Sequence, residues 1–217
     1  MSFIEKITAA IKNPKNAMKN ISDQPMIEEA VMIVGIYAVL GALAAYVQAS
    51  KIIFVFEGFE NMPPSIQSIT MVLQVVGALV GPFLTWSIGT GIIHLISMAL
   101  GGEGKFYPQM MTAVGYSFIP MLFGSIISLA LLLLMEPMTI TISATNQAAA
   151  EEFYKNPYIF ASSVIGAVML IWTSIILFFG VQSAQRLTPA KSAIVAGIPL
   201  VIGVISLVWS IWNLGIL

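Results

Sequence analysis

His94 is the one imidazole in the chain, and cysteine is absent. A zinc-protease helix needs two histidines one turn apart, with a glutamate between them, so that both nitrogens reach one ion. That requirement fails. Disulfides, thiolate ligands and palmitoyl or prenyl anchors all need cysteine, and Ser2 in place of glycine excludes N-myristoylation. No G-x-S-x-G elbow occurs, and every acid falls in a predicted helix end or loop, away from any serine–histidine pair. The stretch "GGEGKF" at 101–106 lacks the spacing and the Ser or Thr of a phosphate-binding loop and reads as a helix stop followed by a turn. The expectation is a chain that is not an enzyme, with no catalytic, cofactor-binding or metal-binding residues.

The polar residues left inside apolar stretches are the remaining candidates. Gln67, Thr70, Gln74, Ala78 and Gly81 recur at helical spacing, and beyond Gly81-Pro82 a second stripe holds Trp86, Thr90, His94 and Ser97. An ionisable group inside a membrane span is a functional candidate by default. His94, near the end of its helix, can equally hydrogen-bond a neighbouring backbone group or serine. Gln74 and Thr90 carry the same two readings, interhelical packing or the lining of a path.

What must position these residues is a lipid-soluble scaffold. The chain has 217 residues, 58% hydrophobic and 9% charged, with a mean hydropathy of +0.94, more apolar surface than a soluble core of this size can hide. The net charge of −1 gives no general attraction to nucleic acid. Five runs are long enough to cross a hydrocarbon layer of about 30 Å: 26–49, 66–100, 112–135, 157–181 and 192–214. Lys6, Lys12, Lys15, Lys19, Lys105, Arg186 and Lys191 fall on one side and Lys51 and Lys155 on the other. Because basic residues are retained in the cytoplasm, the amino end is predicted inside and the carboxyl end outside. Charges and Pro14 interrupt the first 25 residues, so no cleaved signal is expected. The sequon Asn20-Ile21-Ser22 falls on the cytoplasmic side.

The expected fold is an all-α, five-helix membrane bundle. Residues 66–100 as one helix would rise about 50 Å, so a kink or break is predicted at Gly81-Pro82, with the earlier part leaning along the outer leaflet. Tyr116, Pro120, Gly124 and Ser128 share a face of the third span, and Ala196, Pro199, Gly203, Ser206, Ser210 and Asn213 one of the fifth. Small residues let helices approach closely in lipid, and Gly77 with Gly81 adds a GxxxG spacing. The connection 136–156 reads as irregular with a short helix, although 138–143 alternates with period two. Asn156-Pro157 starts the fourth span as N-cap and first helical residue.

Residues 1–24 form an amphipathic lead-in. Phe3, Ile7, Ile11, Met18 and Ile21 share one face, Lys6, Lys12, Lys15 and Lys19 lie elsewhere, and Asn13-Pro14 restarts the helix. Two seats fit this pattern, an anionic leaflet or the protein's own cytoplasmic loops; the lysines are therefore candidate lipid-surface residues. Pro25, Glu28 and Glu29 read as the start of the first span, the acids favoured there by the helix dipole.

Four stretches in order resemble the Yip1-domain family of small polytopic membrane proteins. They are "NPKNAMKNI" before the first span, with Asn13 and Pro14; "GPFLTW" in the second, with Gly81 and Pro82; "HLISMALGGEGKF" at its exit, with Gly101 and Gly102; and "GYSFIP" in the third, with Gly115, Tyr116 and Pro120. Each is short, and their order and spacing over residues 13–217 carry the likeness. The resemblance implies a cytoplasmic amino end, five spans and, in eukaryotic members, vesicle traffic through prenylated Rab-type GTPases; prokaryotic members are similar in layout without an assigned activity. In the eukaryotic group Asp-Leu-Tyr precedes the Gly-Pro, whereas Ala78, Leu79 and Val80 precede it here. The likeness is therefore to the prokaryotic type, and GTPase binding is not carried over.

The functional expectation is a multi-pass protein of the cell membrane, or of an endomembrane in a eukaryote. It would act as a membrane organiser or adaptor whose partners are lipids and other membrane proteins or a second copy, with no nucleic acid. The alternative is a small transporter, channel or lipid-moving protein that uses a broken second span.

Overall fold

The computed structural model describes residues 1–56, 64–142, 153 and 155–213. The lead-in forms two helices. In α1 (Phe3–Lys12) Ser2 and Glu5 make a reciprocal cap, Ser2 N donating to Glu5 Oε2 at 2.8 Å. Asn13 ends α1 and caps α2 (Pro14–Asp23), whose Pro14 occupies the first turn, where no backbone donor is needed. Then follow α3 (Ile27–Lys51), strand β1 (Ile52–Phe56), α4 (Pro64–Ala99), a π-type turn (Phe106–Met110), α5 (Met111–Ser117), α6 (Ile119–Leu134), strand β2 (Met138–Ile142), α7 (Pro157–Gln185) and α8 (Pro189–Asn213).

Five segments are long and apolar enough to cross a membrane: Ile27–Lys51, Ser68–Ala99, Phe106–Leu134, Pro157–Gln185 and Pro189–Trp209. Their outer surfaces carry exposed Ile, Leu and Val on every long helix, which suits lipid as the solvent. The protein is an all-α membrane bundle.

The proline effects differ from expectation. Of the kink or break predicted at Gly81-Pro82, the break is absent, because α4 stays helical through Pro82. Pro82 cannot donate to Ala78 O, and that carbonyl faces α3: a methyl group at Gly41 would lie 3.6 Å from it. A close neighbouring helix is one way a membrane helix accommodates a proline. The interruption falls instead in the third span. At Phe118 (φ −73°, ψ −8°) α5 ends, Phe118 N turns to Gly115 O at 3.2 Å, and Pro120 sits in the first turn of α6. Pro120 has no donor for the carbonyl one turn back.

Small residues set several helix contacts. A methyl group would meet Ala30 Cβ at 2.5 Å from Gly115, Met169 Cγ at 2.8 Å from Gly124 and Leu170 Cδ2 at 2.2 Å from Gly203. The Gly77/Gly81 pair does not join them, since nothing lies within 4 Å of a methyl placed at either.

The strands were not foreseen as a pair. β1 and β2 form a parallel two-stranded ladder running from Ile52↔Met138 to Phe56↔Ile142. Ile52, Leu132, Met135, Ile140 and Ile159 pack beneath it. Lys51 Nζ donates to Leu133 O and Met135 O, each at 2.6 Å, and so serves carbonyls at the end of α6 that the helix leaves unpaired. The short helix expected after residue 142 lies outside the described residues. Asn156 caps α7 as expected, its Oδ1 accepting from Tyr158 N at 3.0 Å and Ile159 N at 3.4 Å.

Candidate functional site at the lead-in end

The lead-in and three helix ends meet at one end of the bundle. Met18 and Ala10 are fully buried, Ala17 and Ile21 nearly so, and Phe3, Ile7 and Ile11 pack against the same core. A methyl group at Gly180 of α7 would lie 2.9 Å from Met18 Cε, so the absent side chain there makes room for the methionine. Of the two seats that fit the pattern, a leaflet or the protein itself, the apolar face here occupies the second. The helical period showed that the face needed an apolar cover and did not select which one.

Lys6 anchors this seat. Its Nζ lies 2.7 Å from Glu29 Oε2 and 2.9 Å from Oε1, with side-chain exposures of 12% and 8%. In this arrangement its ammonium group faces a carboxylate of the bundle, whereas Lys12, Lys15 and Lys19 face outward. Tyr116 OH, on α5, donates to the same Glu29 Oε2 at 2.5 Å. Glu29 does sit in the first turn of α3, where the dipole favours a carboxylate, but it also joins the lead-in to the third span. Sequence reasoning missed that role. Burial of the triad strengthens its electrostatics and makes an unpaired member costly. Beside it, Gly115 touches Ala30, and Trp86 Nε1 donates to Met111 O at 2.9 Å. Lys12, Lys15 and Lys19 remain exposed on the outer face.

A second polar junction ties α4 to α7. His94 Nδ1 and Gln185 Nε2 are 2.9 Å apart, and the Phe106 ring stands 5.5 Å from the imidazole. Gln185, which the sequence did not single out, is fully buried, and its backbone oxygen accepts from Glu103 N at 3.1 Å. Gly101 takes a left-handed φ of 87°, Gly102 N bonds Ser97 O at 2.8 Å, and Gly104 passes so close that a methyl there would reach 1.8 Å from Ala184 O. Lys191 Nζ caps Leu100 O at 2.6 Å. The glycine-rich turn, expected to tie the second and third spans, is also clamped by the ends of α7 and α8.

The remaining candidates divide. Thr90 is buried and bonds its own helix at Trp86 O, as Ser97 does at Ile93 O (2.7 Å). Gln74 is exposed on the outward side of α4 and does not join them in the interior. Among the described residues no group of three or more His, Asp or Glu could hold a metal ion. A cavity of about 320 Å³ lies at the lead-in, bordered by Lys6, Asn20, Ile21, Asp23 and Gln24. Because Lys6, Glu29 and Tyr116 engage one another, the triad is built to hold segments together.

Five apolar crossings closed at one end by a docked amphipathic pair define a multi-pass α-helical membrane protein. The Yip1 domain family matches residues 8–210, and the chain belongs to that family. The match begins inside α1 and so includes α2 and the groove it fills. The chain is 32% identical over 133 residues to an uncharacterized protein of Methanocaldococcus jannaschii, covering 59% of this chain and 86% of that protein. No solved structure matches it.

Proposed function

We propose that this Yip1 protein is a non-catalytic membrane organiser that gathers other membrane proteins, in sorting or vesicle-type traffic, through the outward side of α4. The observation that carries this reading is the trio of exposed Gln74 and Gly77 with half-buried Gly81. They stand at i, i+3 and i+7 on one helix face, both glycines are open, and exposed Leu73, Val76 and Val80 surround them. A side-chain amide amid lipid-facing residues gains a hydrogen bond from a partner helix, and the glycines let that helix come close. The transporter reading drew on a stripe that includes Gln74 and Thr90; Gln74 is exposed, and Thr90 spends its hydroxyl on its own helix. Seven basic residues at or near the lead-in end favour a cytoplasmic position for it.

The test is a photo-crosslinking residue at Gln74 in the native membrane, compared with Gly77→Leu/Gly81→Leu. Defined adducts to other membrane proteins, lost in the glycine variant, are expected. Adducts to lipid alone, with solute or lipid flux in reconstituted vesicles, would replace this reading with the transporter. Adducts to a second copy alone would replace the adaptor with a self-associating scaffold.

A further inference from the structure

The lead-in carries two kinds of surface. Ala10, Ala17, Met18 and Ile21 face the bundle, while Lys12, Lys15 and Lys19 are exposed. The seat beneath the first set is incomplete. A cavity of about 320 Å³ opens beside Lys6, Ile21 and Asp23, and the hydroxyls of Ser22 on α2 and Thr112 on α5 are buried without a hydrogen-bond partner. Buried polar groups left unpaired weaken the seat that contains them. The ion pair of Lys6 with Glu29 is the single salt bridge joining lead-in to bundle among the described residues. The joint between α2 and α3 is short and extended, Gln24 at φ −131°, ψ 69° and Met26 at φ −119°, ψ 102°. Rotation about these few residues would free both helices without disturbing a span.

We propose that the two lead-in helices exchange between the groove they fill on the bundle and the surface of an anionic leaflet, Lys6 leaving Glu29 for lipid phosphate. Lipid would cover the same apolar face that the bundle covers now, since either medium removes it from water. The exposed lysines bias the exchange, because three charges beside an anionic surface shift it by on the order of a hundredfold. Release uncovers Gly180, Ala113 and the carboxylate of Glu29, a groove already shaped for an amphipathic helix carrying a lysine. The exchange does not rest on the α4 partner face, so either can fail alone.

The test uses spin labels on the full chain at two exposed sites, Asn16→Cys on α2 and Thr188→Cys after α7, in a background with no native cysteine. Pulsed dipolar distances are compared in nanodiscs of phosphatidylcholine with and without phosphatidylglycerol. One short distance is expected in the neutral disc and a second, longer population in the anionic disc, removed by high salt or by Lys12→Gln/Lys15→Gln/Lys19→Gln. Lys6→Met/Glu29→Met, which keeps the seat filled without charge, gives a control whose reduced shift separates lipid competition for Lys6 from general attraction. Identical distributions in both discs overturn the proposal. So does an anionic-lipid effect that survives loss of the three lysines.

Discussion

Lys6 and Glu29, 23 residues apart, meet at 2.7 Å with side chains 12% and 8% exposed, and Tyr116 closes on the same carboxylate. Removing one partner of a buried pair leaves an uncompensated charge, a loss of about 3 kcal/mol or more, whereas replacing both by apolar groups is often neutral. Lys6→Met and Glu29→Met should each lower the melting temperature in detergent, and the double variant should regain part of it, less what the Tyr116 hydroxyl loses with its acceptor. A double no better than the worse single would show that the pair is not what the lead-in depends on.

Glycines that look alike in sequence should separate sharply. Gly115→Ala places a methyl 2.5 Å from Ala30 Cβ and should cost about 1–3 kcal/mol by overpacking. Ala30→Gly in the same chain should relieve it. Gly77→Ala and Gly81→Ala meet nothing within 4 Å and should leave stability level or raise it by up to about 1 kcal/mol through helix propensity. Thermal unfolding of the single variants checks the ordering.

Within the "GGEG" run the damage should concentrate at Gly104. A methyl there would overlap Ala184 O, while Gly101→Ala meets only the strain of its left-handed φ, about 1 kcal/mol. Faster protease cleavage between α4 and α5 in Gly104→Ala than in Gly101→Ala is the expected readout.

Lys51→Met removes the donor to Leu133 O and Met135 O. Two carbonyls lose a charged partner, a loss of about 1–3 kcal/mol if they stay dry. Amide exchange should accelerate across β1 and β2 and remain unchanged at the lead-in end. Uniform acceleration would mean the lysine supports the whole bundle.

Local chemistry made much of the fold legible. Asn13-Pro14 and Asn156-Pro157 start helices because an amide side chain and a donor-free proline satisfy helix beginnings whatever surrounds them. The five crossings follow from apolar length. What was not legible depended on a neighbour distant in sequence. Pro82 leaves α4 unbroken, and the carbonyl it frees lies beside Gly41 of α3, which no reading of α4 alone contains. Glu29 had a sufficient local explanation in the dipole of its own helix, which hid its bonds to Lys6 and to Tyr116, 87 residues away. The run "IIFVF" at 52–56 has no alternation to mark it as a strand. Gln185, a lone amide at a helix end, offered no pattern that could point to His94.

The strand ladder also constrains direction of travel. β1 continues directly from α3, β2 follows three residues after α6, and the two pair in parallel. A parallel pair needs a crossover connection between its two strands; here α4 leads away from the rim, and α5 with α6 leads back to it. Had α4 merely dipped and turned back, the second strand would emerge at the far rim and the ladder could not close. Ten short residues thus act as an internal count of crossings, which any insertion or deletion that changes their parity would break.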